Sequence, residues 1–83
     1  MSWICYILRC ADDTLYCGIT NDEKKRVAAH NAGTAAKYTR TRVPVELVFV
    51  EKCADRSDAS RREMSIKKLT REQKLHLIRS HAA

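Results

Sequence analysis

The sequence predicts a small α+β domain, a three-stranded antiparallel sheet flanked by helices, with elements in the order β-β-α-β-α-α. Two observations lead to this fold class. Two short apolar runs joined by a polar turn indicate a β-hairpin at the start of the chain. Three later segments open with residues that cap helices, and a β-branched run separates the first of them from the second. With 83 residues, the whole chain is predicted to form one domain.

The hairpin is predicted from residues 3–10 (WICYILRC) and 15–20 (LYCGIT). The first run is almost entirely apolar, which is typical of a strand covered on both faces. Because side chains alternate along a strand, Tyr16 and Gly18 share one face of the second strand, and Tyr6 can point the same way. Gly18 would then leave backbone room for a ligand beside the two tyrosines. The alternative is an ordinary pair of half-buried strand tyrosines.

The first helix is predicted over about residues 22–31. Thr20, Asn21 and Asp22 are three candidates for its N-cap, and Thr20 with Glu23 matches the capping box, in which each side chain satisfies a free amide at the start of a helix. Gly33 is a suitable residue to end the helix, since glycine adopts the left-handed conformation without strain.

Residues 34–43 show no clear period and predict an exposed basic loop, which Pro44 closes. The β-branched and aromatic residues of 45–52 predict the third strand. Acidic and serine caps open a second helix over about residues 55–69, and a Thr-Gln capping box opens a last helix over about residues 70–79.

Composition restricts the function classes. Sixteen lysines and arginines face ten acidic residues, which gives a net charge of +6 and favours an anionic partner such as nucleic acid, although charge alone is a weak signal. No run approaches the roughly 20 apolar residues of a membrane span. The four cysteines show no close C-x2-C pair, so they are interpreted as small hydrophobic residues of a reduced, cytoplasmic protein rather than as zinc ligands.

Arg26 and His30 lie four residues apart, on one face of the first helix. An arginine can hold a phosphate by two parallel hydrogen bonds, and a histidine can transfer a proton near neutral pH. Taken alone, the pair is more typical of an exposed helix face.

Glu63 is the most informative acidic residue. At 100° per residue it lies within roughly 60° of Ala59 and Ile66, on the stripe that should face the core. A carboxylate placed there is costly unless it is paired or bound to a metal. A salt bridge to an arginine such as Arg26 is one interpretation, and a Mg²⁺ site with one carboxylate is the other.

These residues, in this order, resemble the GIY-YIG nuclease family. ICY stands where that family has Gly-Ile-Tyr, and YCG stands where it has Tyr-Ile-Gly. The closer likeness is to short stand-alone bacterial members, whose text is well matched by AAHNAGTAAKYTR and RREMSIKKL of this chain. Two features depart from the pattern: the first motif lacks its glycine, and no asparagine follows Asn31.

The resemblance implies hydrolysis of DNA phosphodiester bonds that depends on Mg²⁺ or Mn²⁺ and is structure-selective or weakly sequence-specific. Glu63 would hold the metal, Arg26 would clamp the phosphate, and Tyr6, Tyr16 and His30 would position and deprotonate water. The choice of base between Tyr6 and His30 stays open. The residues predicted to contact nucleic acid are Gly18, Lys37, Tyr38, Arg40 and Arg42.

Other functions stay open at this point. The chain could bind nucleic acid with the nuclease fold but without chemistry, or dock as an adaptor on a protein. DNA is favoured over RNA as the nucleic acid, and a role in DNA repair or recombination would follow. Because the sequence shows no second DNA-binding domain, a protein partner could supply specificity. The nuclease interpretation requires Tyr6, Tyr16, Arg26 and Glu63 to converge on one cleft.

Overall fold

The computed structural model describes residues 2–81. It confirms the predicted α+β fold and adds one short helix to the predicted order, which becomes β-β-α-α-β-α-α. The elements are β1 (Ile4–Arg9), β2 (Leu15–Thr20), α1 (Glu23–Asn31), α2 (Lys37–Arg40), β3 (Glu46–Lys52), α3 (Arg56–Lys67) and α4 (Arg71–His81).

The three strands form one antiparallel sheet in the order β2-β1-β3. Strand β1 is central and buried on both faces, as its apolar run predicts. Strand β2 lies at an edge, and its pairing with β1 sets Gly18 opposite Tyr6 and Tyr16 opposite Leu8. This register brings both tyrosines to one face of the sheet.

The two faces of the sheet are covered by different helices. On one face, Tyr6 and Leu8 pack with Tyr16 and with Val27 of α1. The opposite face contains Cys5, Ile7, Cys17 and Phe49, which form a cluster with Ile66 of α3. Alternation along β1 and β2 therefore separates an α1 side of the sheet from an α3 side. All four cysteines are free, and Cys5, Cys10 and Cys17 are buried.

The start of α1 differs from the predicted capping box. Asp22 caps the helix instead, because its carboxylate accepts the Lys25 N–H at 3.2 Å. Thr20 belongs to β2, too far before the helix to act as its cap, and its hydroxyl accepts the N–H of Asp22 at 3.1 Å. The end of α1 is as predicted: Gly33 has φ +78°, and its N–H bonds to the His30 carbonyl at 3.1 Å.

The last two helices begin as predicted. Asp55 caps α3 by accepting the Asp58 N–H at 2.8 Å. The capping box before α4 forms in both directions: Thr70 N–H bonds to Gln73 Oε1 at 2.9 Å, and Gln73 N–H bonds to Thr70 Oγ1 at 3.2 Å. Within residues 2–81, no helix has the length and apolar character needed to cross a membrane.

The basic segment of residues 34–43 is not the fully exposed loop that its sequence predicts. It contains α2, and Thr39 in that helix is fully buried. The Arg42 carbonyl accepts the Ala11 N–H at 2.8 Å, and the Nε atom of Arg42 lies 3.0 Å from Asp12 Oδ2. These two contacts hold the segment against the β1–β2 turn. The sequence conceals this because a four-residue helix is too short to display a period.

Candidate active site

The phenol of Tyr6 lies at the centre of a polar group on the α1 side of the sheet. Its ring extends from β1 across β2 and passes over Gly18, where an added Cβ would lie only 2.6 Å from the hydroxyl oxygen. The space beside Gly18, predicted to admit a ligand, is thus filled by the tyrosine itself. Gly18 is required because it lets a side chain from the central strand reach the edge of the sheet.

A chain of hydrogen bonds runs through this phenol. The Arg26 Nε–H donates to the Tyr6 hydroxyl at 3.4 Å, and the same hydroxyl lies 2.9 Å from His30 Nε2. On the other side of the imidazole, Nδ1 lies 2.7 Å from the Thr39 hydroxyl, which donates to the Ala36 carbonyl at 3.3 Å.

The direction of each of these hydrogen bonds follows from the bond between Thr39 and the Ala36 carbonyl. Because the Thr39 proton points to a carbonyl, the Thr39 oxygen accepts from His30 Nδ1–H. In a neutral imidazole, Nε2 is then the acceptor, so the Tyr6 hydroxyl donates to it. One tautomer of His30 thus satisfies every group in this series of hydrogen bonds. In that tautomer, the unprotonated Nε2 accepts the hydrogen bond of the phenol.

Burial makes His30 neutral near pH 7. The side chain is fully buried, and burial, aided by the positive charge of Arg26, holds the pKa of His30 below its ordinary value of 6.5. Burial likewise raises the pKa of Tyr6 above its ordinary 10.0, against the opposing hydrogen bond and positive charge of Arg26. At neutral pH the ground state is therefore a protonated phenol beside an imidazole that can take its proton.

This arrangement predicts a loss of stability in mild acid. Since the folded pKa of His30 is below 6.5, the unfolded chain binds the proton first, and stability declines as the pH falls below about 6.5 toward the folded pKa. We expect His30→Gln to flatten this part of a chemical-denaturation profile, whereas the same change at the exposed His76 should leave it unaltered. Identical profiles for the parent and His30→Gln would contradict the burial of a neutral imidazole.

Thr39 was not anticipated from the sequence, and its hydroxyl supports the imidazole. We expect Thr39→Val to lower the free energy of unfolding by about 1–3 kcal/mol, because the buried His30 N–H loses its acceptor. Thr39→Ser keeps the hydroxyl and should retain most of the stability. Thermal unfolding of the two variants provides the measurement, and equal losses in both would show that packing, not the hydrogen bond, is responsible.

An aromatic column extends the site toward solvent. The Tyr16 ring meets His30 edge-on with 5.1 Å between centroids, and Tyr38 stacks on Tyr16 at 5.8 Å. The Arg42 guanidinium carbon lies 4.2 Å from the Tyr38 ring centroid, and Nη1 donates to the Tyr38 carbonyl at 2.8 Å. Arg42 is therefore engaged by the protein itself, while Tyr38 remains 40% exposed.

The remaining residues predicted to contact nucleic acid are more open. Lys37 and Arg40 both lie on α2 and are exposed. Within residues 2–81, neither side chain forms an ion pair. Beside the aromatic column, α2 therefore presents two positive charges that no carboxylate of the described residues neutralises.

Glu63 lies on the α3 side of the sheet. Ala59 and Ile66, its predicted neighbours on the helix, are both fully buried. The pKa of the buried Cys5 thiol is raised by its hydrogen bond to Cys17, by burial, and further by the nearby negative charge of Glu63. The Glu63 carboxylate pairs with Lys67 at 3.6 Å, not with Arg26, and its side chain is 22% exposed.

The site residues thus fall into two parts. Tyr6, Tyr16, Arg26 and His30 are brought together on the α1 side, while within residues 2–81 no hydrogen bond or ion pair joins Glu63 to any of them. Consecutive residues of β2 face the two parts: Tyr6 lies over Gly18, and the charge of Glu63 acts on Cys17. The convergence that the nuclease interpretation requires is therefore found for Tyr6, Tyr16 and Arg26, but Glu63 is not part of that group.

A protein-family model described as the GIY-YIG catalytic domain matches residues 2–76. The chain belongs to this GIY-YIG family. A UPF0213 protein of Clostridium perfringens is 56% identical over 75 residues, which cover 90% of this chain and 81% of that protein. One from Natronomonas pharaonis is 52% identical over 73 residues, covering 88% and 86% of the two chains.

Solved structures agree with the family assignment. The solution NMR structure of the UPF0213 protein BH0048 from Bacillus halodurans has a TM-score of 0.64 and 36% identity, and covers all of this chain and 88% of that one. The NMR structure of the E. faecalis protein EF2693 also has a TM-score of 0.64, with 37% identity, and covers all of this chain and 90% of that one. The resemblance inferred from the motifs is confirmed.

Within this GIY-YIG domain, the altered first motif has a simple structural basis. Ile4 stands where the family has glycine, and it is buried in the cluster that contains Tyr6. Ile4 lies on the same face of β1 as Tyr6 and packs within that cluster, so an apolar side chain is accommodated there. The motif tyrosines, Tyr6 and Tyr16, keep their places around His30.

The GIY-YIG family implies a divalent metal, and Glu63 is the residue that the sequence predicts to hold it. Among residues 2–81 there is no group of three or more acidic, histidine or cysteine side chains that could enclose an ion. Mg²⁺ nevertheless often uses only one or two carboxylates, with water and substrate phosphate as the other ligands. A partly exposed carboxylate paired only with a lysine fits such a site, which nucleic acid would have to complete.

One further structural residue escaped the sequence-based prediction. Asn31 at the end of α1 accepts the Val45 N–H at 2.7 Å and donates to the Val45 carbonyl at 3.4 Å. These two bonds hold Val45, the residue before β3, against the end of α1. Nothing in the local sequence marks either Asn31 or Thr39, because both act on partners distant along the chain.

Proposed function

We propose that this GIY-YIG domain is a Mg²⁺-dependent endonuclease that hydrolyses phosphodiester bonds in DNA, with selectivity for branched or unpaired structures or weak sequence specificity. The observation that supports it most is the phenol of Tyr6, held between the cationic Arg26 and the free Nε2 of a neutral His30. The positive charge of Arg26 favours the ionised phenol, and His30 offers a route for its proton, so the two neighbours oppose the effect of burial as the phenol gives up its proton.

The proposed base is Tyr6, with His30 as its proton acceptor. As Tyr6 takes a proton from the attacking water, its own proton passes to Nε2 of His30, and the Thr39 hydroxyl stabilises the resulting imidazolium by accepting from Nδ1–H. The water oxygen forms a bond to phosphorus and the bond to the leaving sugar oxygen breaks. The leaving oxygen then takes a proton from solvent.

Arg26 has two roles in this scheme. Its bond to the phenol is long, at 3.4 Å, so a phosphate can replace it without a large loss of interaction energy. Exchange of this partner would open the phenol, which is only 1% exposed, to water. The guanidinium would then clamp the phosphate and stabilise the charge that develops on it.

Glu63 would hold the divalent ion from the α3 side of β2. When bound, Mg²⁺ supplies Lewis-acid stabilisation of negative charge on the scissile phosphate. Because the protein offers one carboxylate there, we propose that the ion is retained firmly only with nucleic acid present.

The test is cleavage of end-labelled flapped, branched, single-stranded and duplex DNA by the purified protein with Mg²⁺ or Mn²⁺, and with EDTA. We expect cleavage by the parent, none in EDTA, and at least a hundredfold slower cleavage by Glu63→Ala. Glu72→Ala, which removes an exposed carboxylate from α4, is the matched control and should equal the parent. Equal cleavage by the parent and Glu63→Ala would indicate a contaminating nuclease and reject the proposal.

One observation favours a second function, a nucleic-acid-binding module without chemistry. Tyr6 and His30 are almost fully buried and their hydrogen bonds are satisfied within the protein, as in a structural network. This alternative predicts binding in EDTA with a steep dependence on salt and no cleavage of any substrate in the panel. In either case, a protein partner would be the source of tighter specificity.

A further inference from the structure

A pocket of about 320 Å³ opens beside the active site, at the end of β2 and the starts of α1 and α3. It is continuous with the site because Arg26, whose Nε contacts Tyr6, also forms part of its wall. Larger pockets of about 500 and 590 Å³ lie elsewhere on the surface and include no site residue. The residues lining the smaller pocket are Trp3, Ile19, Thr20, Asn21, Arg26 and Arg56.

The charge of this pocket is not neutralised by the protein. Within residues 2–81, neither Arg26 nor Arg56 is ion-paired, whereas five other arginines lie within 4 Å of a carboxylate. Asp22, four residues before Arg26, and Asp55, directly before Arg56, accept backbone N–H groups as helix caps. Two free guanidinium groups in one pocket favour an anion, and arginine is especially suited to phosphate.

The pocket also contains an aromatic ring. Trp3 is partly exposed, and the guanidinium carbon of Arg56 lies 5.7 Å from its ring centroid. Aromatic rings beside cationic grooves are used to stack unpaired bases, and such stacking tolerates any base. A paired base inside a duplex has both faces covered by its neighbours and cannot stack on a side chain.

We propose that this pocket binds the unpaired nucleotide next to the scissile phosphate of the DNA substrate, with Arg56 on its phosphate and Trp3 against its base. The proposal rests on the nuclease function and specifies its substrate class: DNA that is single-stranded beside the cleaved bond, as in a flap or a frayed end. Arg26 connects the two sites by holding the phosphate that is cut.

Trp3 is the only tryptophan of the chain, so its fluorescence reports on this pocket alone. The experiment titrates the parent with an oligothymidylate in EDTA, where no hydrolysis occurs, and compares it with a blunt duplex of equal length. We expect saturable quenching by the single strand and little by the duplex. Arg56→Ala should weaken single-strand affinity about tenfold or more, since a charged hydrogen bond is lost.

Arg61→Ala is the matched control, because Arg61 is an exposed arginine of the same helix that pairs with Asp58. Its single-strand affinity should remain within about twofold of the parent value, as expected for an exposed ion pair. Equal effects of the two arginine variants, or equal quenching by duplex and single strand, would overturn the proposal. If quenching depends on Arg56 but the protein cleaves no substrate, the pocket is supported and the nuclease function is rejected. If the protein cleaves DNA without quenching of Trp3, the nuclease function is supported and the pocket is rejected.

Discussion

Replacement of Tyr6 by phenylalanine is expected to slow DNA cleavage by about a hundred- to ten-thousandfold, the range that general-base catalysis supplies. The change removes the oxygen that would take the proton from water, while the ring that packs over Gly18 remains. It also leaves His30 Nε2 without its donor, so we expect the free energy of unfolding to fall by about 1–3 kcal/mol. Single-turnover cleavage at saturating Mg²⁺ gives the rate, and thermal unfolding verifies that the variant is folded.

Tyr38→Phe is the matched control for this prediction. Tyr38 stacks on Tyr16 within the same aromatic column, but the structure shows no hydrogen bond from its hydroxyl among residues 2–81. Its loss should change the rate by less than about threefold, in line with a surface substitution. If Tyr6→Phe cleaves as fast as Tyr38→Phe, Tyr6 is not the base.

Gly18→Ala is expected to have the second largest effect and to reduce both stability and activity. The new Cβ would stand 2.6 Å from the Tyr6 oxygen and 2.7 Å from Cζ, which is closer than such atoms can approach. Overpacking of this kind costs about 1–3 kcal/mol. Because Tyr6 must move to relieve it, its hydroxyl would leave His30 and Arg26, and a displacement of about 1 Å can cost a hundredfold in rate.

Gly33, the second glycine of the chain, provides the control, because its replacement should lower stability without displacing Tyr6. Gly33 has φ +78°, so Gly33→Ala introduces backbone strain of about 1 kcal/mol or more, but its nearest neighbour would be Arg40 Cγ at 3.6 Å. We expect Gly33→Ala to lower the melting temperature and to leave cleavage within about threefold of the parent value. Parallel losses of rate in both glycine variants would mean that activity follows general stability rather than the position of Tyr6.

The fold could be predicted from local signals because those signals are strong here. An almost entirely apolar run predicts the buried central strand. Asp55, the Thr70–Gln73 capping box and Gly33 predict helix boundaries. These features act between residues that are close along the chain, which is the information that a single sequence carries best.

The grouping of Tyr6, Tyr16, Arg26 and His30 was predictable in outline for a similar reason. Alternation along two paired strands and the four-residue spacing on α1 define which side chains share a face. Their hydrogen bonds were not predictable, since the register of β1 and β2 depends on a turn with no clear signal. Gly18 shows the consequence, because the occupant of the space beside it depends on that register.

Thr39 and Glu63 illustrate what the sequence conceals. Thr39 reaches His30 only because the basic segment folds into a short helix against the site, and nothing in a four-residue helix announces this. The helical stripe correctly placed Glu63 beside Ala59 and Ile66, but the same stripe carries it to the α3 side of the sheet. Periodicity defines the face of a helix and does not define which face of the sheet that helix covers.

We propose that the two parts of the site act on one phosphate at the edge of β2, and the alternation of side chains along a strand gives the reason. Cys17 faces α3 and Gly18 faces α1, so one extended strand presents the carboxylate side and the phenol side to a phosphate at its edge. The absence of a side chain at Gly18 is what allows the Tyr6 hydroxyl to reach that edge. The proposed hydrolytic site therefore depends on Gly18 and on the two opposed faces of the sheet.

The most direct measurement of the joint action of Glu63 and Tyr6 is a double-mutant cycle on single-turnover DNA cleavage, with Glu63→Ala, Tyr6→Phe and the variant carrying both changes. When two residues serve the same chemical step, removing the second causes little further loss of rate once the first has been removed. We expect the double variant to be no more than about threefold slower than the slower single variant. Losses that multiply, or a Glu63→Ala variant that cleaves as fast as the parent, would show that the two residues do not act on the same phosphate.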